Sequence, residues 1–296
     1  MSSSDSALHR SHLYAPGSSP RVMRKALAAG ADAVILDLED AVVSDAKDFS
    51  RAEVSALLDE VAADPAVTTS EVSVRINRSD YGYLRDDLEA VVRPGLAGIR
   101  LPKVESAEAV RGVDNLLTEL ERRHDLDPRR IHLTLTVESA LGAVSIASLA
   151  TASPRVVRFA IGTADLLADL GAVGDDDLAT LHVRSELVLH SRAAGLAPPV
   201  DSVYTDLEDD AGLAAAARRA RALGFYGKSV VHPRQLDVVH EVFTPTDAEV
   251  SRAERIVDAA GKADRSGRGA VVVDGGFVDA AIVARARALL AVRRSR

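Results

Sequence analysis

Short apolar segments alternate with longer helical patterns along almost the whole chain, and this alternation is the feature that most restricts the fold. Each short segment is rich in Val, Ile and Leu and ends at Gly, Pro or charged residues, which is typical of a buried strand. Alternation of strands and helices favours a parallel sheet, because parallel strands need a crossover connection. We predict eight strands, at residues 11–15, 33–38, 72–77, 98–102, 131–137, 156–161, 200–204 and 228–231.

Eight strand–helix units are the number that closes a (β/α)8 TIM barrel, and such an α/β barrel occupies about 250 residues as one domain. Aromatic residues form only 3% of the chain whereas hydrophobic residues form 47%, so the core must consist of aliphatic side chains, as barrel interiors do. More chain follows the eighth unit than a barrel needs. We therefore predict a catalytic barrel over residues 1–240 and a C-terminal helical extension or lid over 241–296, with helices at 248–260 and 278–292.

Charge and residue types argue against several kinds of protein. The formal net charge is −8 and no basic stripe is interleaved with aromatic residues, so we expect no nucleic-acid partner. The chain has no Cys, which excludes disulfides, thiolate metal sites and a Cys nucleophile. No apolar run approaches the roughly 20 residues of a membrane helix. The polar segment 1–7 lacks the apolar core of a signal peptide, so we expect a cytoplasmic protein with no membrane partner.

Four carboxylates lie where predicted strands end, which is the edge that carries the active residues of barrels. Glu39 and Asp40 follow the second strand, Glu138 follows the fifth, and Asp165 follows the sixth. Like charges in one barrel mouth repel each other unless a proton or a cation lies between them. The alternative is that these acids are helix N-terminal residues, where carboxylates are favoured.

An all-oxygen site favours a hard cation, with Mg²⁺ as the first choice and Mn²⁺ as the second. Mg²⁺ usually takes one or two protein carboxylates and leaves its other positions to water and substrate oxygens. Glu138 and Asp165, on neighbouring strands, fit that number. Glu39 and Asp40 would then hold metal-bound waters.

Three basic residues are predicted at the same edge, Arg75 in the third strand and Arg100 and Lys103 near the end of the fourth. Arg75 lies inside the apolar segment 72–77, where a guanidinium needs an anionic partner. That partner is either a structural acid or a carboxylate or carbonyl group of the substrate.

Six motifs occur along the chain, in this order: RSHLYAPG at 10–17, GADAVILDLEDAV at 30–42, VRIN at 74–77, LPKVES at 101–106, GTADL at 162–166 and GKSVVHP at 227–233. Together they resemble the citrate lyase β-subunit-like proteins of the HpcH/HpaI aldolase/citrate lyase superfamily, which includes malyl-CoA lyases. Two positions at the mouth depart from the family pattern. Ser18 and Ser19 follow Gly17 where the family often has Asp or Asn and then Arg, and Leu141 replaces an Arg.

The resemblance implies a Mg²⁺-dependent barrel that cleaves or forms carbon–carbon bonds in acyl thioesters or 2-oxo acids. It places the metal on Glu138 and Asp165 and the substrate against Arg75 and Glu138. In relatives similar to malyl-CoA lyase, a late Asp from a neighbouring subunit acts in acid–base chemistry, and Asp279 is the matching residue here. The alternative for Asp279 is a helix N-terminal acid. The resemblance also suggests a homotrimer or a hexamer.

We therefore predict a lyase that acts on a 3-hydroxyacyl-CoA thioester of the malyl-, citramalyl- or citryl-CoA type through a metal-stabilised enolate. Arg75 would add positive charge where negative charge develops, and Asp279 would move the proton. Three alternatives stay open: an aldolase on free 2-oxo acids, a malyl-CoA-type thioesterase, and a citryl lyase subunit that works with an acyl carrier protein. A Schiff base on Lys103 is the weaker mechanism, because the carboxylates already supply a metal site.

Overall fold

The structure is a computed structural model that describes residues 8–78, 82–173, 176–265 and 270–294 of the 296-residue chain. The predicted polar segment 1–7 lies outside the described residues. The chain divides into two compact units, Met1–His240 and Glu241–Arg296.

The first unit is built on one parallel sheet whose strands follow each other in the order β6-β5-β4-β3-β2-β1-β7. Strands β2 and β4 are buried along their whole length, as expected for a sheet that is covered on both faces. The strands are β1 Ser11–Pro16, β2 Ala33–Asp37, β3 Glu71–Arg75, β4 Gly98–Leu101, β5 His132–Val137, β6 Val156–Ile161 and β7 Lys228–Val230.

Helices connect successive strands, and their ends follow ordinary capping rules. In α4, for example, the Ser106 Oγ accepts a hydrogen bond from the Ala109 amide, and Arg122 and Arg123 lie in the last turn, where cations are favoured. None of the described helices combines the length and apolar character needed to cross a bilayer. The helices that begin in the first unit are α1 Pro20–Leu27, α2 Lys47–Ala63, α3 Leu84–Val91, α4 Ala107–Arg123, α5 Ala140–Val144, α6 Ile146–Leu149, α7 Thr163–Leu170, α8 Asp176–Ala193, α9 Asp210–Leu223 and α10 Leu236–Phe243.

The predicted count of eight strands is wrong, because residues 200–204 do not form a strand of the sheet. Only Val200 and Asp201 pair there, through isolated parallel bridges to Ala160 of β6 and Lys228 of β7. Two prolines, at 198 and 199, come directly before this segment, and proline has no N–H to donate to a neighbouring strand. The two paired residues nevertheless link β6 to β7, the two strands at the edges of the sheet.

The second unit contains two long helices, α11 Asp247–Arg265 and α12 Ala280–Arg294, which pack around a small apolar core that includes Ile256, Val278 and Val283. An antiparallel hairpin, β8 Val271–Val273 and β9 Gly276–Val278, lies between the two helices in the sequence, and the sequence analysis did not predict it. Asp274 and Gly275 form its turn with φ angles of 49° and 78°. Asp-Gly is the pair that tolerates two consecutive positive φ angles, so the sequence carries a hairpin signal that helical periodicity hides.

Candidate active site

The parallel register brings acidic and basic side chains together at the carboxyl edge of the sheet. Asp37, the last residue of β2, pairs with Arg75, the last residue of β3, and Arg75 in turn pairs with Arg100 on β4. Glu138 follows β5 directly, and Asp165 lies in the first turn of α7, which follows β6. The predicted mouth residues of the first unit therefore lie along one edge, as strand ends do in parallel sheets.

Arg75 is held by acids of its own chain. Its Nε and Nη2 donate to the two carboxylate oxygens of Asp37 at 2.7 and 2.6 Å. Its Nη1 lies 2.8 Å from Glu39 and 3.3 Å from Asp40. Burial alone lowers the pKa of Arg75, but the bidentate bond to Asp37 and the surrounding negative charge raise it. Of the two partners that the sequence left open, the structural acid is therefore present, and the substrate contact of Arg75 stays a prediction.

Asp37 is a residue that the sequence analysis missed. Its carboxylate is almost fully buried and also accepts the backbone N–H groups of Glu39 and Ala41, at 3.0 and 3.1 Å. It therefore fixes both Arg75 and the start of the loop that carries Glu39 and Asp40. A signal was present, since a charged residue that ends an apolar strand requires a partner on the neighbouring strand.

Glu138 is buried and held from two sides. Its Oε1 accepts a hydrogen bond of 2.7 Å from the Lys103 amide, and its Oε2 lies against Gly162, at a distance where no β-carbon would fit. Burial is the main cause that raises the pKa of Glu138 to about 7, and the negative charge of Asp165 adds to the rise. The glycine that opens the GTADL motif thus lets the start of α7, which carries Asp165, approach the Glu138 carboxylate.

Lys103 links the two groups of acids. Its backbone has a φ of 47°, which is uncommon for a residue with a side chain, and its Nζ lies 3.1 Å from Asp165 and 3.8 Å from Glu39. Burial lowers the pKa of Lys103, but the hydrogen bond to Asp165 and the nearby carboxylates raise it overall. A Schiff base requires a neutral amine, so this environment disfavours that mechanism.

Glu39 is a buried carboxylate that has positive charges nearby but accepts no hydrogen bond from the described residues. It is 4% exposed, and neither of its carboxylate oxygens has a hydrogen-bond partner among the described residues, although Arg75 lies close to one of them. Burial is the main cause that raises its pKa to about 8, and the charges of Asp40 and Glu138 contribute. A buried carboxylate without donors is unfavourable unless a proton, a cation or a metal-bound water satisfies it.

These donors fit a hard divalent cation. Glu138, Asp165 and the unsatisfied Glu39 supply only oxygen atoms, which is the donor type that Mg²⁺ prefers. Within the described ranges no three His, Asp or Glu side chains are grouped so that they could hold an ion by themselves.

Asp279 belongs to the second unit and caps α12. Its Oδ1 accepts the amides of Ala281 and Ile282, both at 3.0 Å, which is the helix N-terminal role that the sequence left open for it. Its part in acid–base chemistry stays a prediction. At one of the two departures from the family pattern, Leu141 on α5 is 56% exposed.

The family model for HpcH/HpaI aldolase/citrate lyase matches residues 10–233. The chain belongs to this family. The predicted resemblance is therefore confirmed. The chain is 34% identical over 284 residues to the citrate lyase subunit beta of Leuconostoc mesenteroides subsp. cremoris, and the match covers 96% of this chain and 92% of that protein.

Two further members of the family carry information on ligands and reactions. The chain is 36% identical over 283 residues to the (3S)-malyl-CoA thioesterase of Cereibacter sphaeroides strain ATCC 17025, with 95% of this chain and 93% of that protein covered. It is also similar to the crystal structure of the protein CitE from Mycobacterium tuberculosis in complex with magnesium, acetoacetate and coenzyme A. That likeness has a TM-score of 0.75 and 32% sequence identity, and it covers 97% of this chain and 98% of that chain.

Proposed function

We propose that this protein is a Mg²⁺-dependent carbon–carbon lyase that cleaves or forms a 3-hydroxyacyl-CoA thioester of the malyl-, citramalyl- or citryl-CoA type. The observation that carries the proposal is the buried Glu39 carboxylate, which accepts no hydrogen bond from the described residues and lies near a buried Glu138. The fold is that of a family to which the CitE protein, solved with magnesium and coenzyme A, is similar. Glu138 and Asp165 would hold the metal. Glu39 and Asp40 would accept hydrogen bonds from its waters.

When bound, Mg²⁺ would supply a hard Lewis acid that polarises the oxygen atoms of an oxo acid. The residues of this chain hold the proposed metal ligands and a positive charge in fixed positions around the metal site. Lys103 orients Glu138 through its backbone amide and Asp165 through its ammonium group. Arg75, locked by Asp37, presents a fixed positive charge where negative charge develops, so no reorganisation is needed during the reaction.

In the cleavage direction, a base takes the proton of the 3-hydroxyl group and the bond between C2 and C3 of the acyl chain breaks. The electron pair of that bond passes to the thioester as an enolate, which then takes up a proton at carbon. The products are an oxo acid and a shorter acyl-CoA. We assign the proton transfer to Asp279, delivered from a neighbouring subunit of a homotrimer or hexamer in which residues 241–296 act as a lid.

The same proposal includes a barrel in which Val200 and Asp201 take the place of an eighth strand. Their bridges to β6 and β7 support this closure. Closure would bring Asp165, after β6, onto the same ring of strand ends as Glu39 and Arg75.

A malyl-CoA-type thioesterase is the second candidate, favoured by the 36% identity to the enzyme of that name. The two reactions differ in their products. A lyase releases an oxo acid and leaves the thioester intact in the shorter acyl-CoA, whereas a thioesterase releases free CoA thiol and a hydroxy acid.

The deciding experiment incubates the protein with Mg²⁺ and malyl-, methylmalyl-, citramalyl- or citryl-CoA, and measures oxo acid and free thiol separately. We expect oxo acid from at least one thioester and none in the presence of EDTA. Release of thiol alone would favour the thioesterase. Turnover of free oxo acids without any thioester cleavage would refute the thioester assignment.

Substitutions test the proposed ligands directly. Glu138→Gln and Asp165→Asn should each abolish measurable Mg²⁺ binding in a calorimetric titration, because each removes one of two anionic ligands. Glu108→Gln is a matched control, since Glu108 is an exposed acid on α4 whose side chain is 78% accessible. If both site variants bind Mg²⁺ as the control does, the assigned ligands are wrong.

A further inference from the structure

Arg100 lies on β4 of the parallel sheet, in the layer beneath the candidate active site. It is 2% exposed and is among the largest fully buried side chains of the protein. Its Nε donates to the Thr136 Oγ1 at 3.1 Å, and its Nη2 donates to the Ser229 Oγ at 3.2 Å. Thr136 precedes Glu138 by two residues, and side chains two apart on a strand project from the same face. Arg100 therefore contacts the layer directly below the Glu138 carboxylate.

Among the described residues, the charge of Arg100 has no acid partner. No carboxylate oxygen lies within 4.0 Å of it in the part of the chain that the structure describes, and its Nη1 has no hydrogen-bond partner there. Two other buried arginines differ. Arg75 has Asp37 at 2.6 Å, and Arg155, which is equally buried at the other end of the sheet, has Asp114 and Glu121, both at 2.6 Å. A buried charge without a counter-charge is strongly unfavourable, so its presence calls for a function.

Arg100 shares an aromatic neighbour, Tyr14, with Arg75 at the mouth. Its guanidinium lies 5.7 Å from the ring centre of Tyr14, and the guanidinium of Arg75 lies 5.1 Å from the same ring. Burial is the main reason that the pKa of Arg100 is lowered, the positive charge of Arg75 lowers it further, and Glu138 and Tyr14 oppose the change. Glu138, a proposed metal ligand, is thus one of the groups whose negative charge acts on Arg100.

We propose that Arg100 is a positioning residue that supplies an unbalanced positive charge beneath the active site and thereby favours anionic oxo-acid ligands, dianionic ones most. This inference rests on the proposed function. A charge inside a protein acts over a longer distance than one in water, and salt screens it little. With an effective dielectric constant of about 20, a unit charge roughly 10 Å from a monoanion changes binding by about tenfold.

A purely structural role is the competing explanation, because Arg100 also ties β4 to Thr136 of β5 and Ser229 of β7. The two explanations predict opposite patterns. If the charge serves the ligand, an apolar side chain of similar length should leave the fold as stable as before or more stable, while ligand binding weakens. If the hydrogen bonds serve the fold, stability should fall and the affinity of the folded protein should stay.

The experiment measures thermal stability and, by calorimetry with Mg²⁺ present, the binding of pyruvate and of freshly prepared oxaloacetate. We expect Arg100→Met to weaken pyruvate binding about tenfold and oxaloacetate binding about a hundredfold, since the effect scales with ligand charge, with no loss of Tm. Arg100→Lys, which keeps the charge, should recover most of the affinity. Arg100→Gln, neutral but polar, replaces Arg100→Met if that variant does not fold.

Arg155→Met is the matched control, because it removes an equally buried guanidinium that has two acid partners. Arg155→Met should lower Tm sharply and leave the affinity for both oxo acids unchanged. If Arg155→Met does not fold, Arg155→Lys replaces it as the control. Binding by the neutral Arg100 variants within twofold of wild type, or an equal loss for the monoanion and the dianion, would overturn the inference alone. Failure of the wild-type protein to bind either oxo acid would overturn the proposed function together with it.

Discussion

Gly162 is the position where a single methyl group tests the geometry of the candidate site. A β-carbon on Gly162 would overlap the Glu138 Oε2 and would lie 2.7 Å from the Cβ and 3.0 Å from the Cδ of the same residue. Rotation of the Glu138 carboxylate can relieve the first contact but not the second, because a Cβ moves only with its backbone. The Gly162→Ala variant must therefore separate β5 from the start of α7.

The backbone of Gly162 has a φ of −105°, which alanine adopts without strain, so the cost is steric alone. Overpacking of this kind costs about 1–3 kcal/mol of stability. A ligand displaced by about 1 Å should also lose at least tenfold in Mg²⁺ affinity, which corresponds to about 1.4 kcal/mol.

Urea denaturation measures the first effect, and a calorimetric Mg²⁺ titration measures the second. Gly112→Ala is the control, since a β-carbon at Gly112, inside α4, would meet no atom within 4 Å. It should stabilise the protein by about 0.5–1 kcal/mol, because glycine is unfavourable inside a helix. A Gly162→Ala protein with wild-type Mg²⁺ affinity and a free energy of unfolding within about 0.5 kcal/mol of wild type would refute the geometry described here.

Three other predictions concern stability away from the mouth. Asp87→Ala should destabilise the protein by about 3 kcal/mol in urea denaturation, because it leaves the buried Arg51 with only the exposed Asp48 as a charge partner. The bonds from Arg10 hold the pKa of Asp32 at about 2, below its ordinary value of 3.8, although burial acts in the opposite direction. This stabilisation is therefore complete above about pH 4 and is lost as the pH falls towards 2. The free energies of unfolding of wild type and Arg10→Met should differ by on the order of 2 kcal/mol at neutral pH and should become equal at low pH. Gly275→Ala, at a φ of 78°, should cost about 1 kcal/mol and increase hydrogen exchange in the hairpin of the second unit without changing exchange in the sheet.

The sequence predicts the sheet well because strands that are buried on both faces are nearly continuous apolar runs. Seven of the predicted strands overlap observed ones, at β1 to β7. Residues 200–204 were misjudged because apolar residues alone do not make a strand, and the two prolines before Val200 limit the pairing. The hairpin at Asp274 and Gly275 was not predicted, because its strands of three residues are too short to show an alternating hydrophobic pattern.

For the site, the sequence identifies which strand ends are charged but not which charges neutralise each other. The strand register decides this, since it places Asp37 beside Arg75. Lys103 illustrates the same limit: its side chain was predicted at the mouth, whereas its backbone amide, which orients Glu138, has no sequence signature. The metal assignment on Glu138 and Asp165 stays a prediction for the titrations described above.

Three buried arginines show how one residue type can take three roles through its counter-charges. Arg155, paired with two acids, serves the fold, because its removal would leave two carboxylates uncompensated. Arg75, paired with Asp37 and close to Glu39, sets the orientation of the acids at the mouth while keeping its own charge fixed. Arg100 has no acid within reach in the described chain, so its charge is the one that remains available to a bound anion. A lysine in place of Arg75 would keep the charge but lose the bidentate contact, and a lysine in place of Arg100 would keep what we infer matters there.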